Sequence, residues 1–371
     1  MITNTTSMKH LFPAFFTAMA FYCVVHLSIF ASLIEIIATG DNDHRDEQLR
    51  GGRIIPRTAK QQEHTRIQWT DPVDNNNNNS ERRNNALIIS VAPRRAKHVV
   101  ALWSELECFT TDVDYVILSG PTWSQPILET VVEMAKTSIP RFSSSSSSTV
   151  QLKFQTSIND RYDVGLWCDA LDWMESNGDL QHMQQISLLN DSVFALREYS
   201  SILSALQTNN ASMTSLSYSF IRPEATGPEH FWVESVWRGF DRNGIQTFRD
   251  YSCRPADDPM FCARRWWGKK GCIVENFERN MVRQFPRDKV VGLYPSDVPK
   301  HMLTRKHHFN TWVRHPPYWQ KLVEEEGFPV SKVNWPEMIG SVDDDRLKTC
   351  TRMIDRHAID SMDFSAAVKA I

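Results

Sequence analysis

The stretch "ALIISVAPRRAKHVVALWSELE", residues 86–107, decides the fold. It opens with an apolar, partly β-branched run long enough for one buried strand, and residues 95–107 follow with the apolar spacing of a helix. A strand that is apolar throughout is typical of a parallel sheet covered on both faces, because neither side of it meets water. The stretch therefore predicts a strand followed by a helix, the repeating unit of α/β folds.

The same alternation continues along the chain. Apolar runs of strand length recur, and the helix after the third strand carries its apolar stripe on Trp167, Leu171 and Met174. We expect an α/β domain with a Rossmann-type, mostly parallel sheet and helices on both faces. The predicted strands are 86–93, 114–120, 150–158, 184–194 and 214–219, and the predicted helices are 95–107, 126–136, one that begins near 159–163, and 229–240.

Three polar side chains, Asn190, Asp191 and Ser192, end the fourth predicted strand. In open α/β sheets, ligands bind in the crevice beyond the carboxyl ends of the strands. Asp191 could there hold Mg²⁺ or Mn²⁺ bridging two phosphates, since these cations prefer carboxylate oxygen, and Asn190 or Ser192 could contact a phosphate or a sugar hydroxyl. Alternatively, the three residues cap the next helix, because all three residue types are favoured at N-caps.

Further candidate site residues lie on predicted helices. Asp163 is either the N-cap of its helix or a contact to the base or ribose of a nucleotide. Glu234 and His230, four residues apart on one helix face, are candidates for the base that takes a proton from an attacking hydroxyl. The alternative for Glu234 is a surface ion pair with Arg238.

Charge limits the classes of partner. The chain has 371 residues with 41 basic and 44 acidic side chains, a formal net charge of −3. This balance provides no field that would attract nucleic acid, so we expect no nucleic-acid partner. Locally, residues 301–315 are rich in Arg, Lys and His, and they either bind a pyrophosphate leaving group or form a solvated face.

The amino-terminal region predicts a membrane anchor. No Asp, Glu, Lys or Arg occurs from Leu11 to Ile34, and a helix needs about 20 apolar residues to cross a bilayer, whereas the apolar part of a signal peptide has about 7–15. We expect a transmembrane signal anchor at 11–39 after a tail at 1–10. The polar, Asn-rich residues 40–85 predict a flexible stem.

Two features of the sequence favour opposite orientations of this anchor. Lys9 precedes it and four arginines follow it, which would place the amino terminus outside. Asn-x-Ser/Thr acceptors and an even number of cysteines after the span favour a lumenal catalytic domain instead, with disulfides. The acceptors are Asn78, Asn190 and Asn210, and the cysteines are Cys108, Cys168, Cys253, Cys262, Cys272 and Cys350.

The alternative use of the cysteines is a zinc site. Cys253, Cys262 and Cys272 lie within one segment, although no paired C-x-x-C spacing occurs.

Several stretches, taken in order, resemble the rhamnan synthesis protein F group of glycosyltransferase-like proteins. They are "NDRYDVGLWCDAL" (159–171), "LLNDSVF" (188–194), "SLSYS" with "HFWVESVWRGF" (215–240), and "NTWVRHPPYWQKLVEEEGFPVSKVNW" (310–335). The resemblance implies a GT-A-type fold and transfer of a sugar from a nucleotide donor. It implies that Asp191 lies where such enzymes carry metal-binding carboxylates, although this chain offers one carboxylate and not an Asp-x-Asp pair. The family often has Gln at the position of Glu234.

We therefore expect a glycosyltransferase that moves a sugar, rhamnose by the resemblance, from a nucleoside-diphosphate donor to a glycan or glycoprotein hydroxyl. It would be a single-pass protein of the Golgi or ER membrane, with its catalytic domain in the lumen at 86–345 and a carboxyl-terminal extension at 346–371. The alternatives are a catalytically inactive, lectin-like or scaffold protein of the same fold, and a glycoside hydrolase with two facing carboxylates. We expect Asn190 to stay unglycosylated, because a glycan there would block the crevice.

Overall fold

The structure, a computed structural model, describes residues 67–69, 84–143, 150–220, 231–261, 272–303, 311–333 and 345–369. The predicted tail, the anchor at 11–39 and most of the stem lie outside these ranges. Within the described ranges, no helix is both long enough and apolar enough to cross a bilayer. The predicted domain boundaries stay predictions.

The described elements follow the predicted alternation through the first half of the domain. In chain order they are β1 (Asn85–Ser90), α1 (Ala96–Cys108), β2 (Tyr115–Pro121), α2 (Gln125–Ser138), β3 (Gln151–Ser157), α3 (Tyr162–Ser176), β4 (Gln185–Asn190), β5 (Val193–Ala195), α4 (Ser201–Thr208), β6 (Met213–Phe220), β7 (Phe231–Val233), β8 (Trp237–Asp241), α5 (Arg242–Ser252), β9 (Val290–Pro295), α6 (Pro316–Glu325), β10 (Val330–Lys332), α7 (Arg356–Asp360) and α8 (Ser365–Lys369).

The first four strands form the parallel part of the sheet, in the order β3-β2-β1-β4. Every residue of β1 is buried. Its side chains alternate between the two faces: Leu87 and Ile89 belong to the core under α1 and α2, whereas Ala86 and Ile88 belong to the core under α3. This two-sided burial confirms the predicted α/β architecture with helices on both faces.

The rest of the sheet is mixed. β8 lies antiparallel between β4 and β6, while β7 is antiparallel to β6 and β9 is parallel to it. The predicted helix at 229–240 is therefore wrong, because its described residues form the strands β7 and β8. Phe, Trp and Val suit strands, and the backbone of β8 completes the hydrogen-bonded ladder of β4, which a helix could not do.

Disulfides join distant parts of the domain. Cys108 at the end of α1 is bonded to Cys350, and Cys168 on α3 is bonded to Cys253 after α5. Cys272 is disulfide-bonded as well. These cysteines have no thiolate to offer a metal, so the zinc alternative is wrong for Cys253 and Cys272. The bonds Cys108–Cys350 and Cys168–Cys253 span 242 and 85 residues of the chain, and each is expected to stabilise the fold by about 2–5 kcal/mol.

Candidate functional site

The carboxyl ends of β1 and β4 mark the topological switch point of the sheet. The chain leaves β1 towards β2 on one side, and β4 pairs with β1 on the other side. Ser90 and Asn190, the last residues of the two strands, are partners in the ladder. Open α/β sheets bind ligands at such points, because the two connections diverge and leave a gap above the strand ends.

Asp191 bridges the two strand ends. Its backbone N–H donates to the Ser90 carbonyl at 3.0 Å, and its Oδ2 accepts a hydrogen bond from the backbone N–H of Ala92 at 2.6 Å. Burial, and after it the charge of Asp163, raise the pKa of Asp191 to about 7. The hydrogen bond from Ala92 and the charges of Arg94 and Lys332 oppose this rise. Asp191 therefore lies among both acids and bases at the switch point.

Asn190 and Ser192 are held by the protein itself. Asn190 is buried, and its Oδ1 accepts hydrogen bonds from the hydroxyl and the backbone N–H of Ser192, while its Nδ2 donates to the Ser235 carbonyl at 3.5 Å. The chain then enters β5, and the next helix begins only at Ser201. The alternative that the three residues cap this helix is therefore wrong.

Asp163 lies in the first turn of α3, one turn before Trp167. The indole N–H of Trp167 donates to the Leu189 carbonyl at 2.9 Å, which holds α3 against the end of β4. Arg161, not Asp163, is the N-cap residue, so the N-cap alternative for Asp163 is wrong. Its charge acts on Asp191, so the structure brings these two predicted residues together.

Tyr162 is a site feature that the sequence did not indicate. It has a φ of 55° and is 46% exposed, beside Asp163. A bulky residue rarely adopts this left-handed conformation, and such strain is concentrated at functional sites. An exposed ring held in a strained backbone beside the crevice is suited to stacking on a base or a sugar.

Glu105 is a second acid that the sequence analysis missed. It lies on α1 and is completely buried, and among the described residues neither of its carboxylate oxygens has a hydrogen-bond partner. Burial raises its pKa well above the ordinary value, the charge of Asp191 raises it further, and the charge of Lys332 opposes the rise. Glu105 therefore belongs electrostatically to the Asp191 site. Its position inside an apolar helix stretch carried no signal.

Basic side chains complete the site. Lys332 on β10 donates from Nζ to the Ser192 hydroxyl at 2.9 Å, and Lys97 donates to the Val333 carbonyl at 3.2 Å. Burial lowers the pKa of Lys97, and the charge of neighbouring Arg95 lowers it further. The run "RRAK" (94–97) directly after the first strand was a readable signal for this cluster, whereas Lys332 reaches it only through the pairing of β10 with β5.

Glu234 has a different environment from the predicted one. It is buried between β7 and β8, and its carboxylate accepts hydrogen bonds from the Ser217 hydroxyl at 2.5 Å, the Ser296 hydroxyl at 2.6 Å and the Trp312 indole N–H at 2.8 Å. The predicted surface ion pair is wrong too, because Arg238 is buried and its Nε donates to the Glu234 backbone carbonyl. A buried carboxylate that accepts hydrogen bonds from three protein groups stabilises the fold.

The second predicted base, His230, lies outside the described residues.

The residues around Asp191 do not fit a divalent cation well. One oxygen of Asp191 is already bonded to Ala92. Of the charges that act on Asp191, those of Lys332 and Arg94 repel a metal ion, whereas that of Asp163 attracts one. Within the described ranges, no group of three or more His, Cys, Asp or Glu side chains is arranged to hold a metal.

Comparisons with known proteins add little. No family model matches the chain, and no curated protein matches it. Solved structures do match, among them 4-diphosphocytidyl-2C-methyl-D-erythritol synthase from Anaerococcus prevotii, with 10% identity and a TM-score of 0.34 over 58% of this chain and 90% of that one. A superposition this loose supports no conclusion about activity. The resemblance to the rhamnan synthesis protein F group therefore stays an expectation from the sequence.

Proposed function

We propose that this protein is a glycosyltransferase that moves a sugar from a nucleoside-diphosphate donor to a hydroxyl of a glycan or glycoprotein. The observation that carries the proposal is the Asp191 carboxylate, which joins the ends of β1 and β4 at the switch point of the sheet. A carboxyl with a pKa near 7 that interacts with Asp163, Arg94 and Lys332 fits a site for a charged nucleotide better than a packing role.

The proposed reaction assigns a task to each side of the crevice. Tyr162 and Asp163 would receive the base and ribose, while Lys332, Arg94 and the amino terminus of α1 would face the diphosphate. Negative charge develops on the diphosphate as the sugar leaves, and fixed positive groups stabilise it without having to reorganise. Glu234 is not proposed as the acceptor base, because its carboxylate already accepts hydrogen bonds from Ser217, Ser296 and Trp312.

We also propose that the domain acts in the lumen of the Golgi or ER, held by the anchor at 11–39. The bonds Cys108–Cys350 and Cys168–Cys253 support this location, because disulfides form and persist in oxidising compartments.

The test is a screen of the full-length protein, purified in detergent, against UDP-, GDP- and dTDP-sugars, with release of the nucleoside diphosphate as the readout. We expect one donor to be turned over and Asp191→Ala to lose at least about 100-fold of that rate. The control is Glu133→Ala, which removes an exposed acid on α2 and should leave the rate unchanged. Full activity of the Asp191 variant would refute the site.

One observation favours a second candidate, a glycan-binding protein without catalysis: the carboxylate predicted to act as the base, that of Glu234, is saturated by protein donors. Glycan binding by a protein that binds none of the nucleotides would establish this candidate in place of the transferase.

A further inference from the structure

We propose that Lys332 binds the donor diphosphate directly and supplies the positive charge that a divalent cation would otherwise supply, so that donor binding needs no metal. This inference rests on the proposed function, and it assigns the diphosphate-binding part of the same site.

The first step is the placement of Lys332. The β10–β5 ladder pairs Lys332 with Val193, and the Val333 N–H donates to the Ser192 carbonyl at 3.0 Å. The ammonium then donates to the Ser192 hydroxyl, which is itself held by Asn190. Backbone pairing and side-chain bonds thus fix the ammonium at the end of β4.

The second step is the buried acid Glu105, on which the charge of Lys332 acts. Glu105 is fully enclosed, and neither of its oxygens has a hydrogen-bond partner among the described residues. Buried polar groups are nearly always hydrogen-bonded, so each exception requires an explanation. Burial raises the pKa of Glu105 and so favours its uncharged form, in which Glu105 does not compete with an anionic ligand for Lys332.

The third step is the balance of charge. Three acids interact here, Asp163, Asp191 and Glu105, together with the bases Lys332 and Arg94. Burial raises the pKa of Asp191 and of Glu105 and so favours the uncharged forms of these two acids, which leaves the two bases in excess. A nucleoside diphosphate brings two to three negative charges, which these two basic groups can bind by charge-assisted hydrogen bonds. A divalent metal would instead have to enter beside an ammonium and a guanidinium. The side chains therefore favour an anion over a metal ion.

A plain structural role for Lys332 makes a different prediction. If its ammonium only ties β10 to Ser192, its removal weakens the fold and reduces the affinity for all nucleotides alike. If it binds the diphosphate, its removal acts mainly on ligands that carry the second phosphate. The ratio of diphosphate to monophosphate affinity separates the two roles.

The experiment is isothermal titration calorimetry on the full-length protein in detergent. UDP, GDP, dTDP and the matching monophosphates are titrated in EDTA and again in Mn²⁺. The variants are Lys332→Met, which keeps the length of the side chain, and Lys332→Arg, which keeps the charge. The matched control is Lys136→Met, which removes an exposed lysine near the end of α2.

We expect one diphosphate to bind with the same affinity in EDTA and in Mn²⁺. Lys332→Met should weaken it about 10- to 100-fold, and the monophosphate clearly less. Lys136→Met should stay within about threefold of the unchanged protein. Lys332→Arg keeps the positive charge and should bind the diphosphate more tightly than Lys332→Met does.

Three results would overturn the inference. Binding that requires Mn²⁺, or binding that Lys332→Met leaves unchanged or weakens equally for both phosphate forms, refutes it while the transferase proposal stands. Lack of binding by every nucleotide in both buffers refutes the transferase proposal together with it. Thermal unfolding of Lys332→Met shows whether the variant is folded, and Lys332→Arg keeps the test decisive if it is not.

Discussion

Two regions of this protein enclose acids, and they treat them in opposite ways. Around Glu234, two hydroxyls and an indole N–H donate to one carboxylate, so the buried charge is compensated from within the protein. Around Asp191 and Glu105, two acids lie near each other, and Glu105 has no hydrogen-bond partner among the described residues. Burial of an acid does not by itself indicate a functional site. A buried acid that lacks hydrogen-bond donors from the protein does indicate one.

The largest change in stability is expected at Glu234. Glu234→Ala leaves the buried groups of Ser217, Ser296 and Trp312 without an acceptor, and we expect a loss of about 3–5 kcal/mol in the free energy of unfolding. Urea denaturation measures it, with the exposed-acid variant Glu133→Ala as the control. A loss below about 1 kcal/mol would show that the Glu234 region resembles the Asp191 region.

The opposite sign is expected at Asp191. Its pKa rises from 3.8 to about 7 on folding, so between these values the folded protein holds a proton that the unfolded chain has released. The free energy of unfolding therefore falls as pH rises through this window and stays low above it. Asp191→Asn should remove that slope and stabilise the protein by about 2–4 kcal/mol at pH 8.

The measurement is urea denaturation of both proteins from pH 4 to pH 8. Parallel stability curves for the two proteins would contradict the prediction. A gain in stability together with a loss of donor turnover would mark Asp191 as a residue kept for function.

A smaller gain is expected at Glu105. Glu105→Met fills a similar volume without a group that needs a partner, and such replacements are neutral or stabilise by about 1–3 kcal/mol. Thermal unfolding at pH 7 and pH 8 measures this gain. It should be larger at pH 8, because the pKa of Glu105 is raised by burial and the free energy of unfolding of the unchanged protein falls as this acid ionises. Destabilisation at both pH values would show that Glu105 has a partner that holds the fold.

The smallest effect concerns glycosylation. Asn190 is buried and its amide is used within the protein, whereas Asn210 is exposed in a turn after α4. We expect peptide mass spectrometry of the protein from a secretory host to find a glycan on Asn210 and none on Asn190. Asn210→Gln should remove that glycan with little effect on stability. An occupied Asn190 would be incompatible with the crevice.

The sequence predicted the parallel half of the fold well because β1 and β2 are mostly apolar and buried along their whole length. The runs at 86–93 and 114–120 are rich in β-branched and other apolar residues, a composition typical of strands that are buried on both faces. It failed at 229–240, where the residues that suggested a helical stripe occur in two short strands. Aromatic and β-branched residues at such spacing fit either element, and only the free edges of β4 and β6 decided between them.

For the site, the sequence by itself determined which acid follows β4, because a polar turn after a buried strand lies at the carboxyl end of that strand, where α/β sheets bind ligands. Tertiary structure alone decided what surrounds that acid. Glu105 comes from α1, Lys332 from β10 and Asp163 from α3, at separations along the chain that no local pattern spans. The local sequence pattern indicates which residues are buried. The partners of a buried charge come from helices and strands that contact one another only in the folded chain.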